Sequence, residues 1–290
     1  MSLPDPGAPG GPVPEPPVCP RHPDRVAYVR CQRCGRPVCP ECQRPAAVGV
    51  HCVDCVREAV RVAPERRTVF GAVVRDGPPL VTLTVLGVTL ASFLVQLVVG
   101  DAWTEVLWFW PAGGEVEPYR FLSAALAHAT GGSFGLTHIL FNMVALWMIG
   151  PALERVLGRW RFLALYVLAV AGGNVMVLLL AEPFTREWVT AHLGASGGIF
   201  GLFGALVVIQ RRFGGDMSGV LVILGLNLVL GFVVPGISWE GHVGGLITGL
   251  AVGAVYAYAP RRRRAVFHVA GVLVVAALLV VLAVGTYAAV

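Results

Sequence analysis

Apolar residues run along most of this chain in blocks too long and too uninterrupted for the surface of a water-soluble domain. From residue 80 onward, seven blocks stand out: 80–99, 134–157, 162–181, 196–209, 220–234, 242–258 and 266–289. They lack the two-residue alternation of half-buried strands, and most approach the roughly 20 residues a helix needs to cross a bilayer. The pattern predicts an all-α polytopic membrane protein. The fourth block is short, about 14 residues, so its entry end must be sheltered within the protein or open to water. Between the first two blocks, residues 100–122 are polar and aromatic. Trp103, Trp108 and Trp110 mark an interfacial element there.

The first 79 residues read differently. Residues 1–17 are rich in Pro and Gly, with too few apolar groups to offset the entropy of ordering, and are expected to be a disordered tail. Residues 18–57 hold all seven cysteines as Cys19-x2-His22, Cys31-x2-Cys34, Cys39-x2-Cys42 and Cys52-x2-Cys55. Four such pairs supply eight soft ligands, enough for two tetrahedral zinc ions. The expected sets are interleaved: Cys19, His22, Cys39 and Cys42 on one ion, and Cys31, Cys34, Cys52 and Cys55 on the other, with His51 as an alternative to Cys52. A region this short has little apolar core, so metal would supply its folding energy. Residues 58–79, with Arg61, Glu65, Arg66, Arg67 and Arg75 before Gly77-Pro78-Pro79, read as a charged linker.

Composition agrees with the pattern: 290 residues, 56% hydrophobic, 13% charged, where soluble domains carry about 25% charged residues. The net charge of +5 is not a nucleic-acid footprint, because the arginines cluster beside the apolar blocks. Arg66, Arg67 and Arg75 precede the first block. Arg155, Arg159 and Arg161 fall between the second and third, Arg211 and Arg212 between the fourth and fifth, and Arg261 to Arg264 between the sixth and seventh. Alternate connections are basic, which predicts a cytoplasmic amino terminus, an external carboxyl terminus and residence in the cell membrane. No apolar signal sequence opens the chain. The cysteines then lie in the reducing cytoplasm.

Polar residues inside apolar blocks are functional candidates. Ser196 opens the fourth block within Gly194-Ala195-Ser196-Gly197-Gly198. This fits G-x-S-x-G, but the strand and soluble α/β sheet of a nucleophile elbow are absent from the pattern. As the first residue of a helix, Ser196 would lie among unpaired N–H groups suited to developing negative charge. His242 opens the sixth block, and a serine hydroxyl needs such a base. Small residues at Gly197, Gly201 and Ala205, and at Gly241, Gly245, Gly249 and Gly253, would let these two helices approach closely and bring Ser196 to His242. His138 and Asn142, four apart on one helix face, could donate to an oxyanion or simply join helices. His128, Asn174, Asn227 and His268 are further polar positions. No third acid joins the pair within the blocks, so the arrangement reads as a Ser–His dyad that needs no cofactor. Neither H-E-x-x-H nor paired intramembrane aspartates are present, and Asp216 falls in a basic connection.

These residues resemble the rhomboid family of intramembrane serine proteases. The resemblance covers 80–258 and rests on Glu117-Pro118-Tyr119-Arg120, His128, His138-Ile139-Leu140-Phe141-Asn142, Gly150-Pro151-Ala152-Leu153-Glu154, Gly194-Ala195-Ser196-Gly197 with Phe200, and His242-Val243-Gly244-Gly245 with Gly249. It implies a six-helix core at 80–259 and a Ser196 nucleophile with His242 as base. It implies an oxyanion hole from His138, Asn142 and the Ser196 amide, and hydrolysis of peptide bonds in transmembrane substrates near the external face. It also implies that 220–234 and 235–240 act as gate and cap. Phe200 stands where the family often has Tyr and would pack on His242. The basic loop and helix at 260–290 are an addition. An inactive chaperone or binding protein of the same fold, and a transporter, are the competing readings. The amino-terminal pattern resembles a B-box-type zinc finger more than a ring finger, which implies a cytoplasmic protein partner for it.

Overall fold

The computed structural model describes residues 15–131, 135–234 and 236–290. The expected tail falls mostly on 1–14, outside these residues, as do Phe134 at the start of the second expected span and Pro235 in the expected cap. The chain divides into two compact units, Met1–Glu65 and Arg66–Val290.

In the first unit, β1 (Val18–Cys19) pairs antiparallel with β2 (His22–Val26), and β3 (Gln43–Pro45) with β4 (Val50–Cys52). Helix α1 (Val53–Val62) follows at once, with the Cys52 sulfur accepting the Cys55 N–H at its start. The interior is mostly cysteine: Cys19, Cys31, Cys39, Cys42, Cys52 and Cys55 are buried with only Ala27, Val38 and Val53. Those few aliphatic side chains are a thin core for a unit of this size.

The second unit is an all-α polytopic bundle. Its helices are α2 (Leu80–Val99), α3 (Asp101–Leu107), α4 (Pro111–Gly114), α5 (Arg120–Ser123), α6 (Gly135–Leu157), α7 (Arg159–Leu180), α8 (Ser196–Phe213), α9 (Ser218–Val233), α10 (Trp239–Tyr258) and α11 (Arg264–Ala288). Among the described residues five segments are long and apolar enough to cross a membrane: α2, α6, α7, α10 and Arg261–Ala288, which includes α11. The apolar helix α9 is shorter. A six-helix core thus carries a seventh, carboxy-terminal helix. Its centre is α8, packed between α7 and α10, and both neighbours are lined with small residues along the contact.

Several boundaries differ from those the apolar blocks suggested. Helix α8 does not stop at 209 but runs on through Arg211 and Arg212 to a left-handed Gly214, because arginine stems extend a helix without burying charge. Arg161, expected in a connection, lies in the first turn of α7 and is buried, since Gly158 alone (φ +82°) joins α6 to α7. The linker is partly ordered: α1 takes it up to Val62, and Thr68–Ala72 forms a turn that buries Phe70 against the bundle, edge-on to Phe213.

One acid holds the bundle at this end. Glu154 of α6 is buried and accepts from the N–H groups of Val81 and Thr82 (3.0 and 2.8 Å) and from the Thr82 hydroxyl (2.8 Å). It satisfies donors that the first turn of α2 cannot pair by itself.

Candidate active site

The site is built where the amino-terminal ends of α6, α8 and α10 meet. Ser196 is the first residue of α8, entered through Gly194 at φ +122°. That conformation favours glycine, and a Cβ there would lie 2.9 Å from His138 Cε1 and Nε2. Gly194 donates to the Ala124 carbonyl, and the Ala195 N–H points to His128 Nε2 at 3.4 Å. The turn before Ser196 is therefore fastened to the segment preceding α6.

Close approach of α8 and α10 follows the glycine rows. A Cβ on Gly245 would stand 2.0 Å from the Gly197 carbonyl, one on Gly249 2.0 Å from the Gly201 carbonyl, and one on Gly253 2.7 Å from the Ala205 Cα. The missing Cβ of Gly197 admits the Gly241 carbonyl, 3.3 Å from where that atom would sit. One turn after Ser196, Phe200 stacks on His242 with ring centroids 4.2 Å apart and planes 11° apart. His242 is buried, and its Nδ1 has no hydrogen-bond partner among the described residues. Glu240 accepts from the Ser238 hydroxyl (3.3 Å) and is not joined to the histidine.

His138 Nδ1 accepts the Ala129 N–H at 3.3 Å, which places the ring proton on Nε2, the side facing Gly194. Asn142 is buried and donates one N–H to the His138 carbonyl at 2.8 Å, leaving its second N–H available. His128 is fully buried against the His138 ring, with its backbone clamped by Gln96 on both sides (3.0 and 3.1 Å). Asn174 donates to the Phe121 carbonyl at 2.9 Å. Asn227 donates to the Ile223 carbonyl of its own helix, and His268 lies at the opposite end with Arg161.

One residue escaped the sequence reading. His192 is tied by a two-way backbone bridge to Phe109, and its Nδ1 is 2.9 Å from the Ser238 hydroxyl. With Asn174, Ser196 and Ser238 it lines the cavity beside the serine. Burial pushes His192 down to about 4, so it is neutral at physiological pH. A histidine in a connection carries no periodic signal, and only its spacing of four from Ser196 could have singled it out.

A family model of the rhomboid domain matches residues 115–259, half of the chain. The chain belongs to the rhomboid family. It is 33% identical over 204 residues to rhomboid protease GluP of Bacillus subtilis, covering 66% of this chain and 37% of that protein. It is 33% identical over 152 residues to the putative rhomboid protease YdcA of the same organism, covering 51% and 71%. Rhomboid protease GlpG of Klebsiella pneumoniae is 29% identical over 210 residues, covering 68% and 71%. The alignment thus spans little more than a third of GluP. The amino-terminal unit and α11 lie outside the matched rhomboid domain.

In the first unit two groups could hold metal ions: Cys19, His22, Cys39 and Cys42, and Cys31, Cys34, Cys52 and Cys55. His51 belongs to neither. Within each group all ligand atoms lie within 4.8 Å of one another. Cys34 and Cys52 sulfurs are 3.7 Å apart, and ligands at about 2.3 Å around a tetrahedral zinc would be about 3.8 Å apart. His22 Nδ1 is 3.2 Å from Cys39 Sγ and 3.4 Å from Cys42 Sγ. The backbone N–H of Cys39 is the main influence drawing the Cys19 thiol down to about 6. At Cys31 burial opposes ionisation, yet the N–H groups of Cys52, Cys34 and Arg33 outweigh it and bring the thiol to about 6. Burial, then a neighbouring cysteine, pushes Cys42 up to about 11 and Cys55 to about 12.

Proposed function

We propose that this chain is an intramembrane serine endopeptidase acting on transmembrane substrates through a Ser196–His242 dyad. The observation that carries the reading is the meeting of α8 and α10 through their glycines. Phe200 follows Ser196 by one turn on α8, and the ring of His242 from α10 stacks on it. In this proposal His242 takes the Ser196 proton as the hydroxyl attacks the scissile carbonyl, then returns it to the leaving amine. Water releases the acyl group by the same route. No hydrogen bond joins Ser196 to His242 among the described residues, and substrate binding would tighten that contact, as apo catalytic contacts are often long. The negative charge on the tetrahedral oxygen would be met by the Ser196 N–H, His138 Nε2–H and the free N–H of Asn142, each worth about 10²–10³ in rate. His242 Nδ1 has no acid partner among the described residues, which supports a dyad rather than a triad.

The basic connections favour a cytoplasmic amino terminus and a site near the external face, and the family resemblance implies that α9 and residues 235–240 act as gate and cap. The first unit would hold two structural zinc ions as a zinc finger and offer a surface to a cytoplasmic protein. Zinc would supply cohesion there and take no part in proteolysis.

The test is labelling of the detergent-solubilised protein with a fluorophosphonate, alongside cleavage of a model transmembrane substrate. Wild type should label and cleave, Ser196→Ala should do neither, and His242→Ala should lose at least about 10³-fold. His138→Ala should retain labelling capacity but cleave about 10²–10³-fold more slowly. The unpartnered His242 Nδ1 and the missing serine contact would equally suit a catalytically silent binding protein. Wild type that neither labels nor cleaves establishes that second reading.

A further inference from the structure

At the end of the bundle opposite Ser196, the first turns of α7 and α11 meet the last turn of α10 around Arg161. This side chain is 5% exposed. Its Nε donates to His268 Nδ1 at 2.8 Å, its Nη1 to the Leu157 carbonyl at 3.1 Å, and its guanidinium lies 4.6 Å from the Trp160 ring centroid. Every one of these partners is neutral. His268 is fully buried and has Nε2 3.2 Å from the Tyr256 carbonyl. Because Nδ1 accepts from Arg161, the proton must reside on Nε2, which leaves an uncharged imidazole. Tyr256 closes the cluster by donating to the Arg161 carbonyl at 3.1 Å.

The cluster therefore contains a buried positive charge, and no carboxylate forms an ion pair with it among the described residues. Glu154, the buried acid at the same end, spends both oxygens on the start of α2. Charge density here rises further with Arg264, the first residue of α11. Its Nη1 and the Nη2 of Arg161 both lie within 4.0 Å of the point where a Cβ on Gly71 would sit. Gly71 (φ +78°) has no side chain to occupy that point, and its carbonyl accepts from Arg67 Nη1 at 3.2 Å. Two converging guanidiniums repel unless an anion lies between them, and a buried unpaired charge is costly. Guanidinium forks bind phosphate oxygens in pairs. Basic pockets between helices at a membrane surface meet lipid phosphates there.

We propose that Arg161 and Arg264, beside the Gly71 turn, form a binding site for an anionic phosphate group that fastens α11 to α7 and α10. The phosphate belongs either to an anionic lipid headgroup or to free phosphate, and the two sources are separable by experiment. This site stands independently of the proteolytic reading.

The test is native mass spectrometry of the full-length protein in detergent, titrated with phosphatidylglycerol or phosphatidylcholine, with a parallel thermal-unfolding series in inorganic phosphate. Wild type should retain phosphatidylglycerol at least about tenfold more tightly than phosphatidylcholine, since about 1.4 kcal/mol is a factor of ten. Arg264→Gln and Arg161→Gln should each abolish that preference, and Arg155→Gln, on an exposed face of α6, should keep it. A raised Tm in millimolar inorganic phosphate, lost in Arg264→Gln, would assign the site to free phosphate. Selectivity for phosphatidylglycerol without that rise would assign it to a lipid headgroup. If Arg161→Gln does not fold, Arg264→Gln decides alone, because Arg264 lies at a helix start and is half-exposed. Unchanged phosphatidylglycerol preference and unchanged phosphate response in Arg264→Gln would overturn the proposal, as would a wild type that retains the two lipids equally and gains no Tm in inorganic phosphate.

Discussion

The unit ending at Glu65 and the bundle beginning at Arg66 hold themselves together by nearly opposite means. In the first, polar sulfur and nitrogen atoms converge in two groups and aliphatic packing is slight. In the second, side chains are removed: Gly197, Gly201, Gly245 and Gly249 let two backbones touch. Water explains the contrast. A small unit in water gains too little from burial, and bonds to a metal would add the missing cohesion. Helices in lipid gain nothing by hiding apolar surface from tails that are equally apolar, so closeness of contact supplies the cohesion.

The strongest way to sharpen this contrast is to remove metal. Structural zinc contributes about 10–16 kcal/mol of apparent folding free energy in zinc-finger peptides. A chelator should therefore unfold residues 15–65 outright while leaving fluorophosphonate labelling of Ser196 intact. Limited proteolysis confined to that unit is the readout, and full protease resistance after chelation would show that the cysteines do not carry the fold. Next in size is Glu154→Ala, which leaves the first turn of α2 without its acceptors. Leaving these buried N–H and O–H donors without their charged acceptor should lower bundle stability by about 1.5–3 kcal/mol, measured by unfolding in mixed micelles.

Within the bundle, Gly249→Ala tests backbone contact directly. A methyl group 2.0 Å from the Gly201 carbonyl forces the helices apart, and overpacking of this kind costs about 1–3 kcal/mol. Cleavage should fall with it, because His242 rides on the same helix. Gly225→Ala on α9, where a Cβ would meet nothing within 4 Å, should instead be neutral or stabilise by about 0.4–1 kcal/mol. Equal responses at the two glycines would remove the basis for the contrast. The smallest effect is expected at Tyr287 of α11, whose hydroxyl donates to the Pro111 carbonyl at 2.8 Å. Tyr287→Phe should cost about 0.5–1.5 kcal/mol and loosen the segment around α4, read as faster hydrogen exchange at 112–114.

Much of the bundle was legible in advance because lipid imposes a simple rule: backbone groups must pair within a helix, so apolar length reports helices directly. Glycine spacing on α8 and α10 anticipated their contact for a similar reason, since four-residue steps stay on one face. Helix ends were less legible. Arg161 and Arg211 lie inside helices although charge suggested connections: Arg211 because a long stem lets the charged head travel away from its Cα, and Arg161 because Gly158 alone joins α6 to α7. Of the site, Ser196, His242, His138 and Asn142 stood out as polar residues in apolar surroundings. His192 did not, because its place beside the serine comes from a bridge to Phe109, 83 positions earlier in the chain.

By itself, the sequence determined that this protein is a helical membrane bundle behind a cysteine-rich unit. It also marked out the polar residues the bundle would contain, because composition, apolar length and ligand spacing are local properties. The tertiary structure alone decided which nitrogen of His138 carries its proton, that Gly197 makes room for a carbonyl, and that Arg161 is buried beside Arg264 with only neutral partners. Each of these depends on which backbone atoms from distant segments arrive at one point, and no local pattern encodes that.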